Sequence, residues 1–157
     1  MLNISVIGGS EIPAKTCEVA REVGRLLAKG GATVFCGGLS GVMECVAKGV
    51  REENGLVIGI LPGNLPEEGN KYLSAALPTG LGYARNFLVV RAGKVVIAID
   101  GSTGTISEAS FALAEGKDVI AIGDLEFVPK KKSEGKFIKV TSPKEAVELS
   151  LRLASEK

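Results

Sequence analysis

The sequence has no histidine, no tryptophan and only three cysteines among its 157 residues. The absence of histidine excludes a catalytic triad or general base that depends on an imidazole. The cysteines, Cys17, Cys36 and Cys45, lack the close spacing of a zinc motif and no histidine can complete such a site, so we expect no bound metal. We interpret the cysteines instead as small apolar side chains in a reducing compartment.

The sequence also lacks long hydrophobic runs and an excess of one charge. Its apolar segments are far shorter than the roughly 20 residues that span a bilayer, and the first residues show no basic, apolar leader. A net charge of +1 creates no field that would attract nucleic acid or an acidic membrane. The basic cluster Lys130 to Lys132 has no interleaved aromatic residues and is typical of a solvated loop. We expect a cytoplasmic protein that binds neither nucleic acid nor membrane.

Short apolar runs alternate with segments of helical spacing along the chain. The runs predict strands at 2–7, 33–36, 56–61, 72–77, 95–99, 119–122 and 137–140. Helical spacing follows Pro13, recurs over 43–50, 82–92 and 106–113, and returns after the capping box Ser142–Glu145. This alternation predicts an α/β fold: a three-layer sandwich with a Rossmann-like, mostly parallel sheet and helices on both faces. We expect one domain spanning residues 1–157.

Three glycine-rich turns follow predicted strands, and the carboxyl ends of parallel strands meet at the edge of the sheet where ligands bind. The turns contain Gly8, Gly9 and Ser10; Gly37, Gly38 and Gly41; and Gly101, Ser102, Thr103, Gly104 and Thr105. Chain geometry alone explains many such glycines, because glycine tolerates positive φ. Three turns at one edge favour a second explanation, in which backbone N–H groups, hydroxyls and a helix dipole hold a phosphate.

The type of phosphate ligand follows from the motifs that are missing. No GxGxxG follows the first strand, and Cys36 stands where an acidic residue would bind the ribose of a dinucleotide, so NAD and FAD are not expected. No GxxxxGK[ST] motif is present, which excludes a P-loop. We therefore expect a mononucleotide or similar monophosphate as the small-molecule partner, and no resident cofactor.

Two charged residues near these turns each allow two interpretations. Thr105 and Glu108 fit a capping box, a structural role that the spacing favours, whereas the same carboxylate at the rim of the phosphate turn could stabilise a sugar cation or activate water. Arg85 could pair with an acid at the surface, or its planar fork could bind an anion. Met43 is in register with apolar residues and is predicted to lie in the core.

Three segments, Gly37–Met43, Arg85–Asn86 and Asp100–Glu108, together resemble the Lonely Guy (LOG) family, long labelled lysine decarboxylase-like. The similarity covers roughly residues 2–140 and is greatest to a small prokaryotic branch related to molybdenum-cofactor carrier proteins. LOG enzymes hydrolyse the N-glycosidic bond of nucleoside 5′-monophosphates to free base and ribose 5-phosphate. The resemblance therefore implies this activity, with Arg85 and Glu108 as catalytic residues, in a homo-oligomer.

The sequence departs from the LOG signature PGGxGTxxE and from its upstream Arg-Lys pair. Asp100 replaces the proline, Ser102 the second glycine and Asn86 the lysine. The resemblance implies that Asn86 lies in the nucleotide site, where it adds no positive charge, and a carboxylate at Asp100 weakens anion binding unless it is turned away. The departures favour binding over turnover, and they leave a non-catalytic carrier of molybdenum cofactor or a nucleotide sensor as the alternative function.

Overall fold

The computed structural model describes residues 1–157 and contains a seven-stranded, fully parallel sheet between two layers of helices. The strands are β1 (Asn3–Gly8), β2 (Thr33–Cys36), β3 (Leu56–Leu61), β4 (Ala75–Pro78), β5 (Val95–Ile99), β6 (Val119–Ile122) and β7 (Phe137–Val140). The helices are α1 (Ala14–Lys29), α2 (Val42–Glu52), α3 (Arg85–Ala92), α4 (Thr103–Ala114) and α5 (Pro143–Ser155). The predicted α/β class, with a Rossmann-like sheet and helices on both faces, is confirmed.

The sheet separates two hydrophobic cores. Helices α1, α2 and α5 bury their apolar sides against one face, in a cluster that includes Val23 and Val46. Helices α3 and α4 cover the other face with residues such as Val89 and Leu113. Strand β5 is buried along its whole length, because helices cover it on both faces. This explains why its sequence is an unbroken apolar run and not an alternating one.

The strand order β4-β3-β2-β1-β5-β6-β7 reverses direction at β1. The chain first winds outward from β1 to β4, and α3 then returns it to β5, which pairs with the other side of β1. Ligands of open parallel sheets bind at such a reversal, outside the carboxyl ends of the strands. The three glycine-rich turns leave the ends of β1, β2 and β5, so the topology brings them to one edge.

Local differences from the predicted elements occur at their ends. The strand predicted at 72–77 is observed at Ala75–Pro78, and the predicted helix 82–92 divides into a 3₁₀ turn at Gly82–Ala84 and α3. Ser142 accepts a hydrogen bond from the Glu145 N–H at 3.2 Å, as the capping box predicts. The Glu145 carboxylate accepts its own bond from the Thr141 hydroxyl at 3.0 Å. None of the helices is both long and apolar enough to cross a membrane.

Two of the three cysteines form a disulfide bond, which corrects the prediction that all three are apolar core side chains. Cys17 of α1 and Cys45 of α2 are joined, with their Cα atoms 5.4 Å apart, whereas Cys36 is a free, buried thiol, as predicted. The bonded pair is separated by 28 positions in sequence and meets only because α1 and α2 pack together, so spacing could not reveal it. The pairing also removes the cysteine-based reason to expect a reducing compartment.

Candidate ligand-binding site

A cleft of about 310 Å³ opens at the carboxyl edge of the sheet, where the strand order reverses. This volume lies at the lower end of the range of roughly 300–1,000 Å³ that is typical of small-molecule sites. The cleft is lined by residues of β1, of the turns after β1 and β2, of the start of α2, and of the segments at the starts of α3 and α4. These residues are Val6, Ile7, Gly8, Ser10, Gly37, Leu39, Met43, Tyr83, Arg85, Asn86, Ser102, Gly104, Thr105 and Glu108.

Most of the residues that the sequence proposed for the site line this cleft. They are Gly8, Ser10, Gly37, Arg85, Asn86, Ser102, Gly104, Thr105 and Glu108. The remaining candidates, Gly9, Gly38, Gly41, Gly101 and Thr103, do not line it. The fold therefore brings Arg85 and Glu108 to one cleft from two different helices.

Gly38 and Gly41 have a structural role outside the cleft lining. Both have positive φ, 78° and 68°, a conformation that strains other residues. The Val42 N–H donates a hydrogen bond to the Gly9 carbonyl at 3.0 Å, and a side chain at Gly41 would collide with the backbone of Gly9 and Ser10. These contacts hold the turn after β2 against the turn after β1, so Gly41 shapes the cleft without lining it, whereas Gly38 lies against Leu61 of β3.

Helix α4 opens into the cleft with an uncapped N-terminus. Ser102 precedes its first residue, yet no side chain caps the helix, because the Ser102 hydroxyl is bonded to that of Thr105 at 3.1 Å. No acidic residue occupies the first turn. The N–H groups of this turn therefore remain available, and the helix dipole adds positive potential beside them.

The structure corrects the capping-box interpretation of Thr105 and Glu108. Ser102 has the extended backbone of an N-cap residue, with φ −113° and ψ 176°, and α4 begins at Thr103. Thr105 therefore lies buried within the first turn, and Glu108 lies in the second turn. From there Glu108 lines the cleft, so it is free for a role other than closing the helix end.

Arg85 is buried at the start of α3, which corrects the alternative of a surface ion pair. Only 6% of the residue is exposed. Its Nε–H donates to the Ile60 carbonyl at 2.8 Å, its Nη2 to the Gly37 carbonyl at 3.3 Å, and its Nη1 to Asn86 Oδ1. A guanidinium has about five N–H groups, so two are left without a protein acceptor. Gly37 makes room for this arrangement, because a Cβ there would lie 2.8 Å from Arg85 Nη2.

Arg85 and Glu108 act on each other electrostatically within the cleft. Burial lowers the pKa of Arg85, and the charge of Glu108 opposes this effect. Burial raises the pKa of Glu108 to about 7, against the opposing effect of Arg85. The Glu108 carboxyl forms no hydrogen bond or ion pair with the protein. It therefore changes protonation near neutral pH and can accept a hydrogen bond from a ligand or donate one to it.

Asp100 does not face the cleft, although it directly precedes the third turn. Its carboxylate accepts hydrogen bonds from the Gly101 N–H at 3.0 Å and the Thr16 hydroxyl at 3.4 Å, so its charge is turned toward α1. Its φ of 58° is left-handed, whereas proline holds φ near about −65°. The turn therefore has a backbone conformation that the proline of the LOG signature cannot adopt.

Five residues that line the cleft were not predicted from the sequence as part of the site: Val6, Ile7, Leu39, Met43 and Tyr83. Met43 packs in the core, as predicted, and also lines the cleft. Tyr83 belongs to none of the three glycine-rich turns that follow β1, β2 and β5, and only its position just before Arg85 in sequence could have drawn attention to it. Apolar residues of this kind carry no motif, since their place depends on which loops the fold brings together.

The fold and the cleft define a class of protein: a Rossmann-like sheet with a cleft of small-molecule size at the strand reversal. Within this class, the chain belongs to the SLOG cluster4 family, whose sequence model matches residues 1–147. An uncharacterized protein of Archaeoglobus fulgidus is 39% identical over 122 residues, which are 78% of this chain and 80% of that protein.

Two solved structures match nearly the whole chain. The molybdenum cofactor binding protein of Rippkaea orientalis is 31% identical, with a TM-score of 0.85 over 94% of this chain and 94% of that chain. The Moco carrier protein of Chlamydomonas reinhardtii is 27% identical, with a TM-score of 0.86 over 98% of each chain. The predicted resemblance to the LOG-related branch that includes molybdenum-cofactor carriers is confirmed.

Proposed function

We propose that the protein binds a small molecule with one phosphate group and a planar heterocycle, and that it carries this ligand without converting it. The observation behind the proposal is that the uncapped N-terminus of α4 and the buried guanidinium of Arg85 open into one cleft. Both groups suit an anion, because N–H donors and positive charge are oriented before the ligand binds. Molybdenum cofactor, a pterin with a single phosphate, is the ligand class that the solved relatives suggest.

In this proposal the phosphate lies at the first turn of α4. Ser102 and Thr105 add hydroxyls there, and Gly104 leaves the backbone accessible because it has no side chain. The two free N–H groups of Arg85 donate to oxygen atoms of the ligand. Asn86, whose Oδ1 is held by Arg85, presents its amide N–H groups to the ligand. The N–H groups of Arg85 and Asn86 that the protein leaves unpaired then have partners once the ligand is bound.

Two departures from the LOG signature favour carrying over turnover. The left-handed backbone at Asp100 gives the phosphate turn a conformation that the signature proline cannot adopt. Asn86 stands where LOG enzymes have a lysine, and it serves here to orient Arg85. The N–H groups of α4 and the guanidinium of Arg85 are retained, whereas the backbone of the phosphate turn and the charge beside Arg85 differ from those of the LOG signature.

Mass spectrometry of the small molecule released from natively purified protein tests the proposal. A pterin monophosphate or an intact nucleotide is the expected result. In calorimetric titrations with neopterin monophosphate and AMP, Arg85→Lys should bind more weakly because it loses the planar fork. Arg91→Lys changes an exposed arginine of the same helix and should bind like the wild type. Protein that releases no ligand and binds neither probe would contradict the proposal.

A second candidate function is hydrolysis of a nucleoside 5′-monophosphate to free base and ribose 5-phosphate, and one observation favours it. Burial raises the pKa of Glu108 to about 7, against the opposing effect of Arg85, which suits a group that exchanges protons near neutral pH. Incubation with AMP tests this function. Release of adenine that is lost in Glu108→Gln supports hydrolysis, whereas AMP that is bound and recovered intact contradicts it.

We also propose that the protein is a homo-oligomer whose copies meet through the layer of α3 and α4. Phe87, Leu88 and Ile106 are exposed on this layer, and its exposed cation, Arg91, is paired with Glu115 at 2.9 Å. An apolar face without net charge can lie against its own copy without like-charge repulsion. We propose separately that the protein is cytoplasmic and binds neither nucleic acid nor a membrane.

A further inference from the structure

Tyr83 lines the cleft although its side chain lies largely in water. The residue is 90% exposed, yet it borders the same space as Arg85 and Glu108. It belongs to the 3₁₀ turn Gly82–Ala84, directly before α3. Burial lowers the pKa of Arg85, and Tyr83 is among the groups close enough to oppose this effect. The tyrosine therefore stands at the mouth of the cleft, above the buried guanidinium.

The ring of Tyr83 has no partner within the protein. The other tyrosine, Tyr72, lies beside the ammonium groups of Lys48 and Lys71, 6.0 and 5.3 Å from its ring centre. The aromatic pairs of the protein involve only phenylalanines. Covering an exposed aromatic ring with another apolar surface is favourable. The unpaired ring of Tyr83 is therefore available to a ligand in the cleft.

The backbone around Tyr83 leaves space for such a ligand. Gly80 and Gly82 have positive φ, 67° and 60°, a conformation that residues with a side chain rarely adopt. Apart from its two chain neighbours, no residue has an atom within 4 Å of the position that a Cβ on Gly82 would take. Because Tyr83 is itself 90% exposed, a planar group can approach the ring without displacing protein atoms.

We propose that Tyr83 stacks on the planar heterocycle of the ligand, and that the site thereby selects ring-bearing monophosphates over sugar phosphates. The inference rests on the proposed function, because it assumes a phosphate held at α4. Leu39 and Met43 add apolar surface to the same cleft, and the thioether of methionine contacts aromatic rings favourably. Every flat heterocycle offers a π face, so the selection is for a ring and not for one particular base.

Contact with a second copy is the competing explanation for the exposed ring. The residues proposed for that contact, Phe87, Leu88 and Ile106, do not line the cleft. Tyr83 does line it, beside Arg85, and this position favours the ligand as the partner of the ring. A change at Tyr83 should therefore alter affinity and leave the oligomeric state as it was.

Calorimetric titration with three probes tests the stacking: AMP, neopterin monophosphate and ribose 5-phosphate, which lacks a heterocycle. Tyr83→Ala should weaken binding of the two ring-bearing probes by about 5- to 100-fold and leave the affinity for ribose 5-phosphate unchanged. Tyr83→Phe keeps the ring and should retain affinity. Leu81→Ala removes an exposed apolar side chain of the same segment outside the cleft, and should bind like the wild type.

The composition offers a second measurement. The chain has no tryptophan and two tyrosines, so Tyr72→Phe leaves Tyr83 as the source of its ultraviolet fluorescence. AMP, whose absorption does not overlap tyrosine emission, should quench this emission in the Tyr72→Phe variant when it stacks on the ring. Ribose 5-phosphate should bind without quenching it.

The possible failures are distinguishable. Equal affinities of the wild type and Tyr83→Ala for both ring-bearing probes would overturn the stacking and leave the proposed function intact. A Tyr83→Ala variant that dissociates into monomers and binds all three probes more weakly would also overturn it, in favour of contact with a second copy. Failure of the wild type to bind any of the probes would contradict the proposed function, and the stacking with it.

Discussion

At the scale of single residues, the cleft contains a carboxyl group to which the protein donates no hydrogen bond. Burial raises the pKa of Glu108 from 4.5 to about 7, although Arg85 opposes the shift. Between these two values the folded state holds a proton that the unfolded chain has released. The free energy of unfolding therefore falls as the pH rises through this window, by up to about 3 kcal/mol in total. Because this carboxyl lowers stability at neutral pH, the fold does not account for its presence, and a role toward the ligand does.

Glu108→Gln tests whether ionisation of this buried carboxyl lowers the free energy of unfolding. The amide does not titrate, so at pH 8 the variant should be more stable than the wild type by up to about 3 kcal/mol, and at pH 4 equally stable. Urea denaturation at a series of pH values measures both. Glu148→Gln, exposed on α5, is the control and should follow the wild type throughout. Parallel pH curves for the wild type and Glu108→Gln would show that burial does not penalise this carboxylate.

The sequence identified Arg85 and Glu108 but not how the fold holds them. Arg85 was left between a surface ion pair and an anion site, and the decision depends on carbonyls of Gly37 and Ile60, which lie far from it in sequence. The spacing favoured a capping role for Glu108, and that choice depends on the residue at which α4 begins. Spacing describes local geometry, whereas both outcomes are decided by the packing of turns against one another.

At the scale of elements, the N-terminus of α4 combines available N–H groups with a favourable dipole. Its N-cap residue, Ser102, is engaged with the Thr105 hydroxyl and leaves the first turn uncapped. A carboxylate at this position would cap the helix and interact favourably with its dipole. The same carboxylate would repel a phosphate bound there. Stability and affinity should therefore respond differently to one substitution.

Ser102→Asp should preserve or raise Tm and weaken ribose 5-phosphate binding about tenfold or more. Ser107→Asp adds the same charge in the next turn of α4, outside the cleft, and should leave affinity unchanged. Differential scanning calorimetry measures the stability, and isothermal titration the affinity. An unchanged affinity in Ser102→Asp would place the phosphate elsewhere in the cleft.

The Cys17–Cys45 bond links α1 and α2, the helices that follow the first two glycine-rich turns. Its residues are separated by 28 positions. Closing a loop of this length lowers the conformational entropy of the unfolded chain, which raises the free energy of unfolding by about 3 to 4 kcal/mol. Dithiothreitol should lower the free energy of unfolding of the wild type by about this amount and have no effect on the Cys17→Ser/Cys45→Ser double variant. Guanidinium denaturation with and without reductant measures the difference. A wild type that is insensitive to the reductant would show that the cysteines are not paired in solution.

The interior elements were predictable because their burial determines which positions in the sequence are apolar. Strand β5 is the clearest case, since burial on both faces requires an apolar residue at every position. Edge and connecting elements were predicted less well. Strand β4 lies at the sheet edge, where only part of each residue is covered, so its pattern is weak. The positive φ of Gly82 belongs to the 3₁₀ turn that precedes α3, which the helical spacing of 82–92 did not reveal.

At the scale of the whole molecule, the two helical layers differ in the chemistry of their outer surfaces. Helices α1, α2 and α5 carry many charged residues, and ion pairs such as Arg21–Glu52 connect α1 with α2. The exposed side of α3 and α4 carries Arg91 as its charged group, and this arginine is already paired. Its large exposed apolar side chains are Phe87, Leu88 and Ile106. A surface that is apolar and poor in charge is typical of one that is covered in an assembly.

Ile106→Lys tests whether this layer joins copies of the chain. Ile106 is 46% exposed and lysine is a good helix former, so the monomer should fold normally. In a two-fold contact the same face meets itself, so the substitution places like charges on both sides of an apolar surface. Gel filtration with light scattering should show a dimer or larger assembly for the wild type and a monomer for Ile106→Lys, whereas Glu148→Lys on α5 should stay assembled. A monomeric wild type, or an assembly that survives Ile106→Lys, would mean that copies do not meet through the layer of α3 and α4.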